Sequence, residues 1–491
     1  MTVQEMLAGI RLKSGLTDSL AHFEVRGLDY DSRRVERGFV FFAFSGAHAD
    51  GRKFARAAME RGAIAVASEL PRPDDFDGPW IEVEHGRRAL ALAAKNFYGA
   101  PDEGLGLTGI TGTNGKTTTT FLTDAILRSA GKVTALVGTI EYRLADRVLP
   151  AVNTTPESLD LYRLFHELEQ AGGSHATMEV SSHALALGRV YGIAFHTAVF
   201  TNLTRDHLDF HHTMEEYFAA KAMLFNPEEG NPPRWAAINH DDSYGRRIRT
   251  SKDTQVVRYG FEAGATLRAT RMEMGFNGLR FTLEYGGETI AITSALVGRI
   301  NAYNIMAACS AALSYGLSWE TIAKGVAECR AVPGRFERVD AGQPFMVVVD
   351  YAHTDDALKN VIQVARGLNP KRVITLFGCG GDRDRTKRPL MGMAAAEGSD
   401  FVVLTSDNPR SEDPLDIIND ALVGLRRYDT AHLVEPDRAK AIEAVLNEAR
   451  SGDIVILAGK GHEPYQVLKD KTIAFDDRAM ARDVLHGLGY K

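Results

Sequence analysis

Lys116 follows Gly115 and precedes two threonines in Thr111-Gly112-Thr113-Asn114-Gly115-Lys116-Thr117-Thr118, an order of residue types suited to gripping a polyphosphate. Gly112 and Gly115 let backbone N–H groups of the loop, including those of Thr113 and Asn114, close around phosphate oxygens, while a helix N-terminus adds partial positive charge. Lys116 can reach the β and γ phosphates, Thr117 can offer its hydroxyl to Mg²⁺, and Thr118 carries the chain into the helix. One spacing departs from the usual P-loop, because five residues separate Gly109 from Gly115 where the common pattern has about four. Apolar Leu105–Leu107 before the loop and the helical pattern Phe121–Leu127 after it supply strand, loop and helix in phosphate-binding order. The chain is therefore expected to bind a nucleoside triphosphate.

Further polar groups fall at the ends of apolar runs. Glu179 closes Ala176–Val180, and Asp206-His207 follows the run at Thr197. Ligands gather at the carboxyl ends of strands in doubly wound sheets, so Glu179 and His207 can serve as divalent-metal ligands beside the phosphates. The alternative is two hydrogen-bonded loop residues. Lys221 shares a helical face with Tyr217 and Phe225, and on pattern alone its stem packs while its ammonium snorkels to water. Asp407-Asn408-Pro409-Arg410 and Gly459-Lys-Gly-His-Glu463 are compact polar loops after strands; each can receive a charged ligand or simply make a turn.

The elements that must position these groups read as α/β throughout. Residues up to 102 hold a β–α–β unit in Phe39–Phe44, Phe54–Arg61 and Ala63–Ala67, a loop at Pro71–Pro79 and an exit linker at Tyr98–Asp102. From 103 to 333, the buried-strand patterns Val133–Val137, Ala176–Val180 and Thr197–Phe200 alternate with helical ones, as a mostly parallel doubly wound sheet requires. Leu279–Tyr285, Gly286-Gly287 and Glu288–Ile292 predict an antiparallel hairpin appended to it. From 334 to 491, strands at Phe345–Val349, Val373–Phe377, Phe401–Leu404 and Ile454–Leu457 alternate with helix-sized intervals.

Composition narrows the function classes. At 491 residues the chain has room for about three domains. Hydrophobic content of 44% and charged content of 25% are those of a soluble globular protein, and no apolar run reaches a membrane span of ~18 residues. The N-terminal residues lack the pattern of a secretory signal, so a cytoplasmic location is expected. A net charge of −7 with dispersed basic residues gives no field for nucleic acid. Cys309, Cys329 and Cys379 show no metal-site or disulfide spacing and are expected to be small buried hydrophobes.

Taken together, Thr111–Thr117, Asn153-Thr-Thr-Pro156, Met178–His183, Asp206–Asp209, Gly334-Arg-Phe-Glu337, Asp350–Thr354 and Asp407–Arg410 resemble the motifs of the Mur ligases of peptidoglycan synthesis. The resemblance runs in order from Asp31-Ser-Arg33 to Phe475–Arg478. It implies an N-terminal domain (1–102) holding a UDP sugar, a central P-loop ATPase domain (103–333) and a C-terminal Rossmann-like domain (334–491) that receives an amino acid. The implied reaction is ATP- and Mg²⁺-dependent ligation of meso-diaminopimelate to the γ-carboxylate of UDP-N-acetylmuramoyl-L-alanyl-D-glutamate, by a monomer. Ser32, Ala47, His48 and Ala49 then match the uridine-nucleotide positions, and Asn153, Thr154, Thr155, Ser181 and Arg189 those that grip the muramoyl-dipeptide. Asn301 and Asn304 match an adenine-contacting segment, and Arg335 and Asp350 groups that close over ATP. Lys116, Glu179, His207 and Lys221 would be catalytic, with Thr117, Glu179, His207 and Lys221 around the metal and Lys221 carrying a carbamate. Arg388, Asp407, Asn408, Pro409, Arg410, Gly459 and Glu463 match positions around the incoming amino acid, Arg410 being suited to its distal carboxylate. Two residues depart from the family pattern: Leu187 stands where relatives often have a substrate-contacting glutamine, and Asp355 where proline is usual. Rival expectations are a folylpolyglutamate-synthetase-like ligase and a P-loop switch module whose ATP drives motion.

Overall fold

The computed structural model describes residues 1–46, 50–226 and 232–491. It divides into two compact units, Met1–Arg268 with Asn304–Gly325, and Ala269–Tyr303 with Val326–Lys491.

The first unit holds two sheets. Short, mostly buried runs make a four-stranded parallel sheet in the order Gly27–Asp29, Phe39–Phe42, Ala65–Ser68, Trp80–Glu82. Helix Gly86–Tyr98 follows and stops at Gly99, whose φ of 77° permits the left-handed cap. The expected exit linker is a packed joint. Pro101–Glu103 forms a 3₁₀ turn, and buried Asp102 accepts from Lys95 Nζ at 3.0 Å and from the Ala194 N–H at 2.9 Å. Helix Gly86–Tyr98 packs on helix Ser158–Gln170, and one continuous core of residues such as Leu90, Ala93, Tyr162 and Phe165 joins the two sheets.

The second sheet carries the P-loop. Six of its parallel strands lie in the order Gln255–Gly260, Trp235–Asn239, Thr197–Phe200, Gly106–Thr111, His175–Glu179, Thr134–Val137. Strands Gly106–Thr111 and His175–Glu179 are central and buried, each carrying apolar and threonine residues through its middle. An antiparallel ribbon, Glu141–Leu144 with Arg147–Pro150, completes the edge; it is one the apolar pattern does not announce, because Arg147–Pro150 is largely exposed.

In the second unit, the expected hairpin pairs Gly278–Tyr285 with Glu288–Ser294, its turn closed by Gly286 and Gly287 at φ 60° and 85°. The C-terminal sheet runs Glu337–Val339, Met346–Asp350, Ile454–Ala458, Val373–Phe377, Phe401–Leu404, Ala431–Val434, all parallel except the first. Alternate residues serve opposite faces: Val348, Ile456 and Val402 pack into one core and Val347, Val455 and Val403 into the other, the doubly wound arrangement. The three cysteines are buried. Among the described residues no helix is long and apolar enough to cross a membrane.

Candidate active site

Strand Gly106–Thr111 ends in the loop and helix Lys116–Ser129 begins at Lys116. Two glycines in the loop are obligatory. Gly112 (φ 150°) lies so close to Thr201 that a Cβ would collide with its hydroxyl, and Gly115 (φ 87°) presses in the same way on the Asn304 side chain. Thr113 and Asn114 are pinned from across the sheet, the Thr113 N–H by Asn202 O at 2.8 Å and the Asn114 N–H by Asn202 Oδ1 at 3.0 Å. Lys116 folds back over the loop, its Nζ donating to Gly112 O at 3.0 Å and Thr113 O at 2.9 Å. Thr118 is buried in the first turn.

Glu179 is the hub of the site. Its carboxylate is 1% exposed and accepts from Thr117 Oγ1 at 3.1 Å, the Thr139 N–H at 2.8 Å and Thr139 Oγ1 at 3.2 Å. Thr139 Oγ1 also lies 3.0 Å from Thr154 Oγ1. Beyond it, Thr155 Oγ1 donates to Glu179 O at 2.9 Å and accepts from the Ser181 N–H at 3.0 Å, while Arg189 Nη1 donates to Thr155 O at 3.1 Å. The carbonyl of Asn153 accepts from Tyr142 Oη. Thr154, Thr155, Ser181 and Arg189 are thus joined by hydrogen bonds through Glu179 and Thr139 to Thr117 after the glycine loop, while Asn153 is held separately by Tyr142.

His207 sits at φ 53° in the loop after strand Thr197–Phe200, its Nε2 3.4 Å from Asp206 Oδ2 and its ring 4.9 Å from that of His183. Burial pushes its pKa down to about 4, against the opposing pull of Asp206, so at neutral pH it is the uncharged imidazole that a metal ligand requires. Lys221 does not snorkel. Its ammonium is buried, donates to Gly112 O at 2.8 Å and lies 4.6 Å from the centre of the Tyr217 ring. Burial, reinforced by Lys116 on the same carbonyl, holds its pKa well below the ordinary lysine value. Among the described residues no three His, Cys, Asp or Glu side chains gather as a ready-made metal cage. Mg²⁺ needs none, since it takes one or two protein oxygens and completes its shell with phosphate and water. The Thr117 hydroxyl and Glu179 carboxylate fit that demand.

In the second unit the amino-acid candidates converge. Asp407–Arg410 follows strand Phe401–Leu404, and Gly459–Glu463 follows Ile454–Ala458. Asn408 Nδ2 donates to Glu463 Oε2 at 2.9 Å, and Gly459 lies so close that a Cβ would strike the Asp407 carboxylate. Pro409 is buried beside them. Arg410, at φ 52°, donates from Nη1 to Gly381 O at 2.7 Å. Arg388 is placed differently. It is 1% exposed and engaged by Glu412 at 2.7 and 3.0 Å and by Asp420 at 2.9 Å, so it braces the Gly380 loop beneath Arg410. Two buried cations escaped the sequence reading: Lys460, 3.2 Å from Asn408 Oδ1, and Arg438, paired with Asp477 and donating to Ser406 O at 3.1 Å and Ala458 O at 3.0 Å. Their only signal was position inside or between motifs. The Phe336 N–H donates to Asp350 Oδ2 at 2.7 Å, and Arg335 lies over the Tyr351 ring at 5.1 Å. Burial pushes the Asp350 carboxyl up, with Arg335 opposing.

Asn301 and Asn304 lie on helix Arg299–Ser314, Asn301 donating to Val297 O at 2.7 Å and Asn304 accepting from Thr119 at 3.5 Å. Ser32 is in the turn after Gly27–Asp29, and Ala47, His48 and Ala49 lie outside the described residues. Leu187 caps the short helix Ser182–Ala186. Asp355 opens helix Asp355–Arg366 behind the N-cap Thr354, a first-turn position that suits proline and, through the helix dipole, aspartate equally.

A P-loop joined through one carboxylate to a second polar loop, on this fold, is the arrangement of an ATP-dependent amide ligase. The chain belongs to the Mur ligase family: the Mur ligase family catalytic domain matches residues 24–98, the Mur ligase middle domain 110–312 and the Mur ligase glutamate ligase domain 334–461. Among its relatives is the UDP-N-acetylmuramoyl-L-alanyl-D-glutamate--2,6-diaminopimelate ligase of Solibacter usitatus, 67% identical over 490 residues, covering 100% of this chain and 99% of that one. The protein of the same name from Geobacillus thermodenitrificans is 47% identical over 463 residues, 94% of each chain. A solved structure of a ligase of that name superposes with a TM-score of 0.72 at 32% identity, covering 100% of both chains.

Proposed function

We propose that this chain joins meso-diaminopimelate to the γ-carboxylate of D-glutamate in UDP-N-acetylmuramoyl-L-alanyl-D-glutamate, a step of peptidoglycan precursor synthesis, in the cytoplasm and as a monomer. The carboxylate attacks the γ-phosphorus of ATP and ADP leaves; the amine then attacks the acyl carbon of the acyl phosphate, phosphate leaves, and the amine gives up a proton. The observation that carries the proposal is Glu179, whose one carboxylate accepts from P-loop Thr117 and from Thr139, itself 3.0 Å from Thr154. Phosphate donor and acceptor loops are thereby held in register, and such positioning dominates phosphoryl transfer.

Residues 1–102, 103–333 and 334–491 act as UDP-sugar, ATPase and amino-acid domains, with Ser32, Ala47, His48 and Ala49 on the uridine nucleotide. Gly112–Thr118 bind the ATP phosphates, Lys116 exchanging two backbone carbonyls for phosphate oxygens; Asn301, Asn304, Arg335 and Asp350 serve the rest of the nucleotide. Asn153–Thr155, Ser181 and Arg189 hold the dipeptide. Thr117, Glu179 and His207 would hold Mg²⁺, which when bound neutralises charge building on the phosphates. The lowered pKa of Lys221 favours its neutral amine, which would add CO₂ with release of a proton, and the resulting carbamate would put a negative charge beside the residues that would hold Mg²⁺. Asp407–Arg410, Gly459 and Glu463 receive diaminopimelate, Arg388 acting through the loop it braces. Steady-state ADP release tests the proposal: continued turnover should require the UDP-dipeptide and diaminopimelate together, and ADP release with diaminopimelate alone would overturn it.

A further inference from the structure

Lys460 is a buried cation with no task in the account above. Its side chain is 0% exposed, and its Nζ donates to Asn408 Oδ1 at 3.2 Å and to Glu463 Oε2 at 3.4 Å, 5.7 Å from the centre of the Tyr465 ring. A buried ammonium costs stability unless it is paired, and an apolar side chain of similar size often serves the packing as well. Its neighbours show what it holds. Asn408 Oδ1 accepts from Lys460 and from the Val467 N–H at 2.9 Å, two donors that fix the oxygen, so Asn408 Nδ2 is turned to Glu463 Oε2 at 2.9 Å. These two contacts on the Glu463 carboxylate both fall on Oε2, which leaves Oε1 for an ammonium. Charge is balanced in the same place. The loops Asp407–Arg410 and Gly459–Glu463 carry two carboxylates, Asp407 and Glu463, and two cations, Arg410 and Lys460, while the nearby buried Arg438 is taken up by Asp477 at 2.6 Å. Without Lys460 the two loops would hold an unbalanced carboxylate.

We propose that Lys460 is a positioning residue that sets amino-acid specificity: it neutralises Glu463, so that the far end of the amino-acid site suits an ammonium and a carboxylate together rather than a lone ammonium. This rests on the amino acid proposed above. The far end of diaminopimelate carries both groups and no net charge, whereas that of L-lysine carries a single positive charge. An unbalanced carboxylate attracts the lone cation and repels the extra carboxylate. A balanced site gives lysine no such gain, and discrimination is built by removing attraction for the wrong partner as well as by adding contacts to the right one. Arg410 reads the distal carboxylate with its fork, while Lys460 acts through Glu463 and Asn408.

The test is steady-state kinetics of the full-length protein, with meso-diaminopimelate and L-lysine varied in turn at saturating ATP and UDP-N-acetylmuramoyl-L-alanyl-D-glutamate, for the wild type, Lys460→Met and Asn408→Asp. Lys460→Met should raise the KM for meso-diaminopimelate and lower that for L-lysine, so that the ratio of their kcat/KM values falls about tenfold or more, the worth of one charge-assisted contact. A merely structural role would raise both KM values and lower neither. Asn408→Asp unbalances the same charges without a change of shape, and the Lys460 ammonium stays to pair with the new carboxylate; it should move the ratio in the same direction. A folded Lys460→Met protein whose ratio does not fall, or whose two KM values rise alike, overturns the proposal, and where that variant does not fold the same results for Asn408→Asp overturn it. A wild type that uses L-lysine as well as meso-diaminopimelate would overturn the amino acid proposed above, and this proposal with it.

Discussion

Replacing Arg410 should change which amino acid is accepted far more than how fast ATP is used. Diaminopimelate differs from lysine by a second carboxylate and stereocentre at its far end, and a guanidinium answers a carboxylate with two parallel N–H donors. Arg410 is held for that task by two loops: its backbone N–H donates to Val467 O at 3.1 Å and its Nη1 to Gly381 O at 2.7 Å, at a φ of 52° that a non-glycine residue adopts only under constraint. Gly381 in turn is tied to Asn408 O at 2.9 Å, so the side chain enters the site already oriented. Loss of a bidentate carboxylate partner costs about 2–5 kcal/mol when fully buried. Arg410 is half-buried, which places the loss near the low end, about 2–3 kcal/mol or roughly 30–150-fold. Arg410→Ala should therefore lower the ratio of kcat/KM for meso-diaminopimelate over L-lysine by that factor, with the KM for ATP within about twofold of wild type. Arg410→Lys keeps the charge but not the fork and should recover no more than about tenfold of it. An Arg410→Ala protein with an unchanged ratio would refute the assignment, and an equal loss on both amino acids would mean that the residue only shapes the loop.

Three further outcomes follow from the first unit. Lys221→Ala should lose about 100-fold or more of ligation and regain part of it with acetate or another short carboxylate, while ¹³C-bicarbonate should give a carbamate resonance in the wild type alone; full activity without additive would refute the role. His207→Ala should keep its fold but need more Mg²⁺, with about a 10–100-fold loss of metal affinity; an unchanged Mg²⁺ dependence would return His207 to a loop residue. His175 is pushed down to about 4 by burial, with Lys132 and His196 adding to the effect. An unfolded chain with an ordinary histidine value of 6.5 binds more protons between those values, so stability is full above the unfolded value and falls as pH drops through the window. A His175→Gln protein should show a shallower fall in melting temperature over that range, and parallel curves would exclude the residue.

The nucleotide loop was legible because its glycines and Lys116 answer a local demand of backbone geometry, and the glycine contacts show that demand directly. Glu179 and His207 were legible as strand-end polar groups, and the structure gives Glu179 its partner Thr117. Thr139 was not, because a threonine after a glycine carries no signal until the fold brings it to Glu179 across 40 residues of chain. Arg189 was named from its motif, but its partner Glu157 and the neighbouring Arg87 were not, because they are brought to it only by the fold. Arg388 shows the opposite case: its place in the sequence suggested contact with the amino acid, yet Glu412 and Asp420 already occupy its guanidinium. The Tyr98–Asp102 linker became a joint because Asp102 found partners in Lys95 and Ala194, which turn-forming composition cannot foresee.

The most direct test of the central claim is ADP formation by the purified protein with UDP-N-acetylmuramoyl-L-alanyl-D-glutamate and each of a panel of diamino acids, with the product mass determined in parallel. One ADP per product, a product heavier by one diaminopimelyl residue, and turnover that is highest with meso-diaminopimelate are expected. ADP formed without the UDP substrate, or a product carrying another amino acid in preference, would contradict it.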